Sequence, residues 1–209
     1  MTFPKVSPKG LRRGLTALAV VLALAGVGLL SYPFFTDLWA WKIQKGLEAD
    51  FSTMAKRYEA GKIGEGDPLT YIKIPAIDVD TIVVEGVTEE SLRAGAGHYP
   101  MTPLPGEKGN VAIAGHRTTY GKPFNRIDEL VPGNKIILTT PVGRHVYEVM
   151  ARPAVTDPQD WSIIEDYPKR GSYLTLTSCH PEGSAAYRIW VRAKLIESTN
   201  TVAAAGRSA

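Results

Sequence analysis

The chain has 209 residues, with 24 Lys and Arg against 21 Asp and Glu for a net charge of +3, four histidines and one cysteine. A single cysteine excludes an intramolecular disulfide and any zinc site that needs two thiolates. A content of 44 % apolar residues excludes collagen-like and disordered classes and allows an ordinary core.

The charge is unevenly placed. Lys5, Lys9, Arg12 and Arg13 precede every acidic residue, so this tip carries +4 and the rest of the chain sums to −1. Phosphate recognition needs positive charge spread over a folded surface, which excludes a general nucleic-acid binder. From Gly14 to Thr36 no residue is charged, and Leu15 to Leu30 is almost wholly Leu, Val, Ala and Gly. About 20 apolar residues at roughly 1.5 Å rise each cross the hydrocarbon core of a bilayer. The pattern predicts a cytoplasmic basic tip over 1–14 and a transmembrane signal anchor over 15–35. Two alternatives fit less well. Ala23-Leu24-Ala25 has the form of a signal-peptide cleavage site, but the apolar run continues to Leu30, where a signal peptide turns polar. A buried core helix would not lack a polar face over this length. Lys and Arg stay on the cytoplasmic side, which predicts a single-pass plasma-membrane protein with its amino terminus inside and the folded domain outside. Tyr32, Phe34, Phe35, Trp39 and Trp41 sit where an interfacial aromatic belt belongs.

A helical stalk or linker is expected over 36–66, with Leu38, Trp41, Leu47, Phe51 and Met54 loosely on one face. Gly61, Gly64, Gly66 and Pro68 end it, and short strands follow. These are Tyr71–Ile74, Thr81–Val84, Asn110–Ala114, Lys135–Thr139, His145–Met150, Tyr173–Cys179 and Tyr187–Leu195. Short helical pieces are expected at Thr88–Arg93, where Thr88 is a weak cap, and at Pro123–Leu130. So many strands over 67–197 point to a mainly β domain closed as a barrel or sandwich, because open edges invite aggregation. Residues 198–209 lack periodicity and are expected to form a flexible tail.

A free cysteine outside a membrane is open to oxidation, so Cys179 calls for a use. Strand alternation sets Leu174, Leu176 and Ser178 on one face and Thr175, Thr177 and Cys179 on the other. A nucleophilic cysteine needs a neighbouring base and a donor for the oxyanion of its tetrahedral intermediate. Without those neighbours Cys179 is a small core hydrophobe. His116 is the best candidate for the base, since it emerges at a strand tip beside Gly115, although a hydrogen-bonded structural histidine has the same signature. His180 adjoins Cys179 but faces the opposite side, and His98 and His145 are expected at the surface in turn-rich contexts. Arg188 follows Cys179 by nine residues, one short connection between antiparallel neighbours, so its guanidinium could stand beside the thiolate or be a solvated strand-face arginine.

Three segments now carry a resemblance. They are Gly97-His98-Tyr99-Pro100, then Gly109 to Gly121 with Pro123-Phe124, then Thr175-Leu176-Thr177-Ser178-Cys179-His180-Pro181 with Arg188 after it. The chain resembles the sortases, membrane-anchored cysteine transpeptidases of Gram-positive bacteria, and is most similar to the class E group of actinobacteria. The resemblance covers roughly Pro68 to Ile196. It implies a closed eight-stranded β-barrel with short helices, and a site at one end with Cys179 as nucleophile, His116 as general acid/base and Arg188 as oxyanion clamp. It also implies cleavage of an LPXTG-like or LAXTG-like sorting signal after its threonine, through a thioacyl intermediate. The implied partners are secreted proteins bearing that C-terminal signal, an amine of the peptidoglycan precursor, and the lipid bilayer. One departure is Ser178, where the family usually has threonine; serine keeps the hydroxyl, so altered packing or substrate preference is expected rather than lost chemistry. Tyr99 and Tyr120, with Thr177 and Ser178, are candidate substrate-binding residues. No cofactor is implied, the histidines lack the paired spacing of a metal site, and no carboxylate cluster suggests calcium. A thiol endopeptidase that uses water and a non-catalytic membrane-tethered binding module are the competing readings.

Overall fold

Seven apolar, largely β-branched segments separated by Gly, Pro and Asn become the main strands of one sheet. A computed structural model describes residues 8–165 and 171–200. Lys5 of the basic tip and residues 201–209 of the expected tail lie outside the described residues. The strands are β1 (Pro68–Ile74), β2 (Val79–Glu85), β3 (Ala96–His98), β4 (Gly109–Gly115), β5 (Lys135–Thr140), β6 (Gly143–Val149), β7 (Ala154–Thr156), β8 (Ser172–His180) and β9 (Tyr187–Asn200).

They are ordered β6-β5-β1-β2-β3-β4-β8-β9, and a further β6–β9 pairing closes the ring into an eight-stranded barrel, with β7 added outside on β9. Most neighbours are antiparallel, but β2–β3 and β4–β8 are parallel. Closure depends on the length of β9. Tyr187–Lys194 pairs with β8, and Ala193–Asn200 pairs with β6. A bulge shifts the register between Val146/Tyr147 and their partners Glu197/Leu195, bending β9 from one partner to the other. Strand β9 therefore extends through Ser198 and Thr199, past the end of the apolar alternation, because backbone pairing with Arg144 and His145 continues where side-chain pattern stops. At this barrel size side chains fill the interior. Here Ile72, Ile74, Val111, Ile113, Phe124, Leu138, Tyr147, Leu174, Leu176, Ile189 and Val191 form one core.

Two short strands, β3 and β7, escape a period-two search, since three residues carry too little pattern. Strand β3 needs glycine. A Cβ on Gly97 would stand 2.1 Å from the Gly86 carbonyl oxygen, while the Gly86 N–H donates to the His98 carbonyl at 3.0 Å. The weak cap is real: the Thr88 hydroxyl accepts from Ser91 N–H at the start of α3 (Glu89–Leu92). Within Pro123–Leu130 a short 3-10 turn forms at Ile127–Glu129.

Helix α1 (Pro8–Phe51) is continuous through Pro33 and is followed by the short α2 (Ala55–Glu59). Up to Phe35 it forms a unit of its own, with Leu15, Leu18, Leu22, Leu29 and Leu30 exposed. Among the described residues it is the one helix long and apolar enough to cross a membrane. From Thr36 onward the helix belongs to the same compact unit as the barrel. Of the face expected for the stalk, Met54 is buried and Leu47 and Phe51 are half-buried, whereas Leu38 and Trp41 are exposed and Thr36 and Ala40 are buried in their place. Small Ala40 permits close approach, and the Gln44 amide bonds the backbone of Ile82, accepting from its N–H at 2.8 Å and donating to its carbonyl at 2.9 Å.

The Gly97–Gly86 approach leaves no room for a methyl group against backbone. Gly97→Ala is expected to lower the unfolding free energy by about 3 kcal/mol, measured by urea titration of the detergent-solubilised chain.

Candidate active site

Three neighbouring strands end together, and their registers decide what meets there. Strands β4 and β8 run parallel from Gly109 opposite Ser172 to Ala114 opposite Thr177. Val111 and Ile113 face the core, so Ala112 and Ala114 face outward, and His116 continues that outer face one step beyond the strand. On β8, Leu174 and Leu176 face the core, so Thr175, Thr177 and Cys179 face outward. Strand β9 places Arg192 opposite Thr175, Trp190 opposite Thr177 and Arg188 opposite Cys179. Directly opposed residues have Cβ atoms about 4.5–5.5 Å apart. The ends of β4 and β8 and the start of β9 thus bring His116, Cys179 and Arg188 to one end of one face.

The backbone around His116 is tightly held. Its N–H donates to the Gly95 carbonyl at 3.2 Å, and its carbonyl accepts from Phe124 N–H at 3.2 Å. Gly115 is needed here, because a Cβ would lie 2.5 Å from Phe124 Cδ2. Ser178, 3 % exposed and on the opposite face from Cys179, spends its hydroxyl on the Gly115 carbonyl at 2.8 Å. It therefore braces the His116 strand from within the wall. The Tyr120 ring lies beside the imidazole, with centroids 5.1 Å apart. Burial of the half-exposed His116 lowers its pKa below the ordinary 6.5, which favours the neutral imidazole at neutral pH.

Arg188, opposite Cys179, also borders a small pocket. Tyr99, Trp161, Ile163, Thr177 and Arg188 line this pocket of about 130 Å³. Tyr99 stands edge-on to Trp161 at 6.4 Å, and its hydroxyl lies 3.3 Å from Thr177 Oγ1. Arg188 donates from Nη1 to the carbonyls of Ala185 and Tyr187 at 3.3 and 3.2 Å, which ties the guanidinium to the β8–β9 turn.

Trp161, Ile163 and Ile164 come from a segment without periodic pattern, and the sequence reading missed them. Asp160 supplies the local signal, accepting from Ser162 N–H at 3.2 Å as a cap. The segment is pinned by buried Asn110, which donates to the carbonyls of Ile163 and Glu165 at 3.3 and 3.1 Å, and by Arg192, which donates to Ile163 at 2.6 Å. Buried Arg117 was also missed. It pairs with Asp128 at 2.8 Å and approaches Glu182 at 3.7 Å, linking the segment after His116 to the β8–β9 turn.

Two histidines expected at the surface are buried instead. His98, 1 % exposed, has Nδ1 2.8 Å from Glu85 Oε2, and Nε2 within reach of Thr102 Oγ1 at 3.0 Å and the Pro103 carbonyl at 3.1 Å. His145, 3 % exposed, has Nδ1 2.9 Å from Ser198 Oγ and rests on Gly106, where a Cβ would lie 2.3 Å from its ring. Their polar partners are remote in sequence or offered by turns, so local composition suggested exposure where tertiary hydrogen bonds permit burial.

Residues 72–196 match the profile of the sortase domain. Sortase SrtE1 of Streptomyces coelicolor is 35 % identical over 150 residues, covering 66 % of this chain and 43 % of that protein. The chain thus spans less than half the length of that relative. Among solved structures, a Clostridium perfringens sortase D5 transpeptidase superposes with a TM-score of 0.64 at 33 % identity, over 75 % of this chain and 97 % of that one. Sortase E1 of Streptomyces coelicolor, solved with a tripeptide in its active site, gives a TM-score of 0.61 at 33 % identity, over 66 % of this chain and 93 % of that one. The closed mixed barrel and the matched domain define the class. The chain belongs to the sortase family, and within it resembles class E.

Burial also lowers the His145 pKa below 6.5. Both His116 and His145 protonate more readily in the unfolded chain, so the stability each contributes is full above pH 6.5 and is lost as pH falls toward the folded value. The denaturation midpoint of His145→Gln is therefore expected to fall less steeply than that of the unsubstituted chain between pH 7 and about pH 5.

Proposed function

We propose that the chain is a membrane-anchored cysteine transpeptidase. It cleaves an LPXTG-like or LAXTG-like sorting signal after threonine and transfers the upstream protein to a cell-wall amine. The observation that carries this reading is the pairing of Cys179 with Arg188 across β8 and β9, beside the β4 end that bears His116. In this reading 67–197 is the catalytic domain, 36–66 the stalk, and 15–35 the anchor of a single-pass plasma-membrane protein whose basic tip, 1–14, is cytoplasmic.

The chemistry follows from the three side chains. His116, neutral because it is buried, takes the proton from Cys179 Sγ as sulfur attacks the threonine carbonyl carbon. The carbonyl oxygen becomes an oxyanion, and the permanently charged Arg188 guanidinium donates to it. When the intermediate collapses, the C–N bond to glycine breaks and His116 gives its proton to the leaving amine. A thioester on Cys179 remains. An acceptor amine attacks that thioester, His116 takes its proton, and the thiolate leaves and is reprotonated. Tyr99 and Thr177, in the pocket that Arg188 borders, and Tyr120, beside His116, contact the sorting signal. Ser178 acts on the substrate only through the wall that it braces. A tripeptide in the active site of the sortase E1 relative supports a peptide ligand for this site.

The test is incubation with a panel of LPXTG-like and LAXTG-like peptides, with and without an added amine, followed by mass analysis of the Cys179 adduct and products. A thioacyl adduct and an amine-dependent transfer product are expected. Product formed only with water would establish an endopeptidase instead, and cleavage unchanged in Cys179→Ala would leave the binding-module reading. Arg188→Ala is expected to lower kcat by about 10²–10³-fold. Because His116 must start neutral, kcat/KM is expected to fall on the acid side with an apparent pKa below 6.5.

A further inference from the structure

The segment after His116 turns back on itself through three consecutive residues with left-handed backbone: Tyr120 at φ 51°, Gly121 at 74° and Lys122 at 38°. Two of them carry side chains, and such backbone persists only where the surroundings over-determine it. The segment's own backbone bonds are Lys122 N–H to the Thr119 carbonyl at 3.0 Å, Asn125 N–H to the Lys122 carbonyl at 3.1 Å and, across its base, Phe124 N–H to the His116 carbonyl at 3.2 Å. A further restraint comes from helix α1. Asp37 Oδ1 accepts from Gly121 N–H at 2.9 Å, Asp37 Oδ2 lies 3.4 Å from Lys122 Nζ, and Gly121 approaches Ala40, where an added Cβ would be 3.8 Å from the Ala40 methyl.

Two turns along the helix from Asp37, Gln44 holds a segment that bonds the backbone of the histidine. Its amide donates to the Ala94 carbonyl at 2.7 Å as well as bonding Ile82. The next residue, Gly95, supplies the carbonyl that accepts from His116 N–H at 3.2 Å. Gly95 also meets the turn directly, since a Cβ there would stand 3.0 Å from the Tyr120 carbonyl oxygen. The helix thus holds Ala94, next to the Gly95 that accepts from His116 N–H, through Gln44, and the strained turn after His116 through Asp37, with the Tyr120 ring beside the imidazole.

We propose that the α1 segment Asp37–Gln44 is a positioning element of the active site, with Asp37 the residue that holds the Tyr120–Lys122 turn so that Tyr120 keeps the His116 imidazole in its working orientation. This rests on the catalytic reading of His116 and extends it to residues that touch neither substrate nor Cys179. The carboxylate oxygen that accepts from Gly121 matters more than the charge on Asp37, because the exposed ion pair with Lys122 is weak.

The test uses the full chain in detergent micelles. Asp37→Ala should lower kcat by about tenfold or more with little change in KM, since misplacing a catalytic group acts on the reacting step rather than on binding. Asp37→Asn, which keeps an acceptor for Gly121, should restore most of kcat. Hydrogen exchange at the Gly121 amide should speed up in Asp37→Ala and not in Asp37→Asn, a readout independent of catalysis. Unchanged kcat in Asp37→Ala overturns the proposal, as does unchanged Gly121 exchange, or a loss that Asp37→Asn does not rescue. His116→Ala and Cys179→Ala are the controls. If these remain active, the catalytic reading itself fails; if they are dead while Asp37→Ala is fully active, only the positioning role fails.

Discussion

The arrangement of this protein depends on the register of β8 between two neighbours of opposite direction. Parallel pairing with β4 brings the ends of both strands to the same edge, and antiparallel pairing with β9 returns the chain to that edge after one turn. A slip of one residue on either side would reverse every side chain, sending Cys179 inward and Leu176 outward. The leucines and isoleucines of the core prevent that slip, so the apolar interior sets the alignment of the polar groups outside it.

Much of the polar structure fixes surfaces against one another rather than adding stability of its own. Asn110, Thr175 and Arg192 form a buried network that holds the segment bearing Trp161 to Ile164 against the barrel. Arg117 links the segment after His116 to the exposed carboxylates of Asp128 and Glu182. The network of Asn110, Thr175 and Arg192 matters because a buried donor left without a partner is costly, so parting these segments is penalised. The pocket is therefore built from a loop segment pinned onto strands β8 and β9. Helix α1 enters the same logic from outside the barrel, through Gln44 and Asp37.

The long strands were legible because each buries one face and shows a period of two or a short β-branched run. Within the candidate site the Cys179–Arg188 pairing was legible for a related reason: they lie on continuous strands nine residues apart, joined by a tight connection. What escaped was short or depended on remote partners. Strands β3 and β7 are too brief to show alternation, and Trp161, Asn110 and Arg117 take their roles from contacts far along the chain. His98 and His145 looked like surface residues because their partners, Glu85 and Ser198, cannot be inferred from neighbours in sequence. The start of the α1 docking face was misjudged because exposed Leu38 and Trp41 carry more hydrophobic signal than the Thr36, Ala40 and Gln44 that make the contact there.

By itself the sequence determined the kind of elements present, the uncharged helical segment near the start, and the residue types capable of thiol chemistry, because periodicity, charge bias and a solitary cysteine are properties of the chain alone. Tertiary structure alone decided which strands pair to close the barrel, that the β4 end bearing His116 lies beside the β8 end bearing Cys179, and that Gln44 and Asp37 of α1 bond Ala94 and Gly121. Those outcomes depend on register, on the bulge in β9 and on close approaches at glycine, which are set by how surfaces fit rather than by any local pattern.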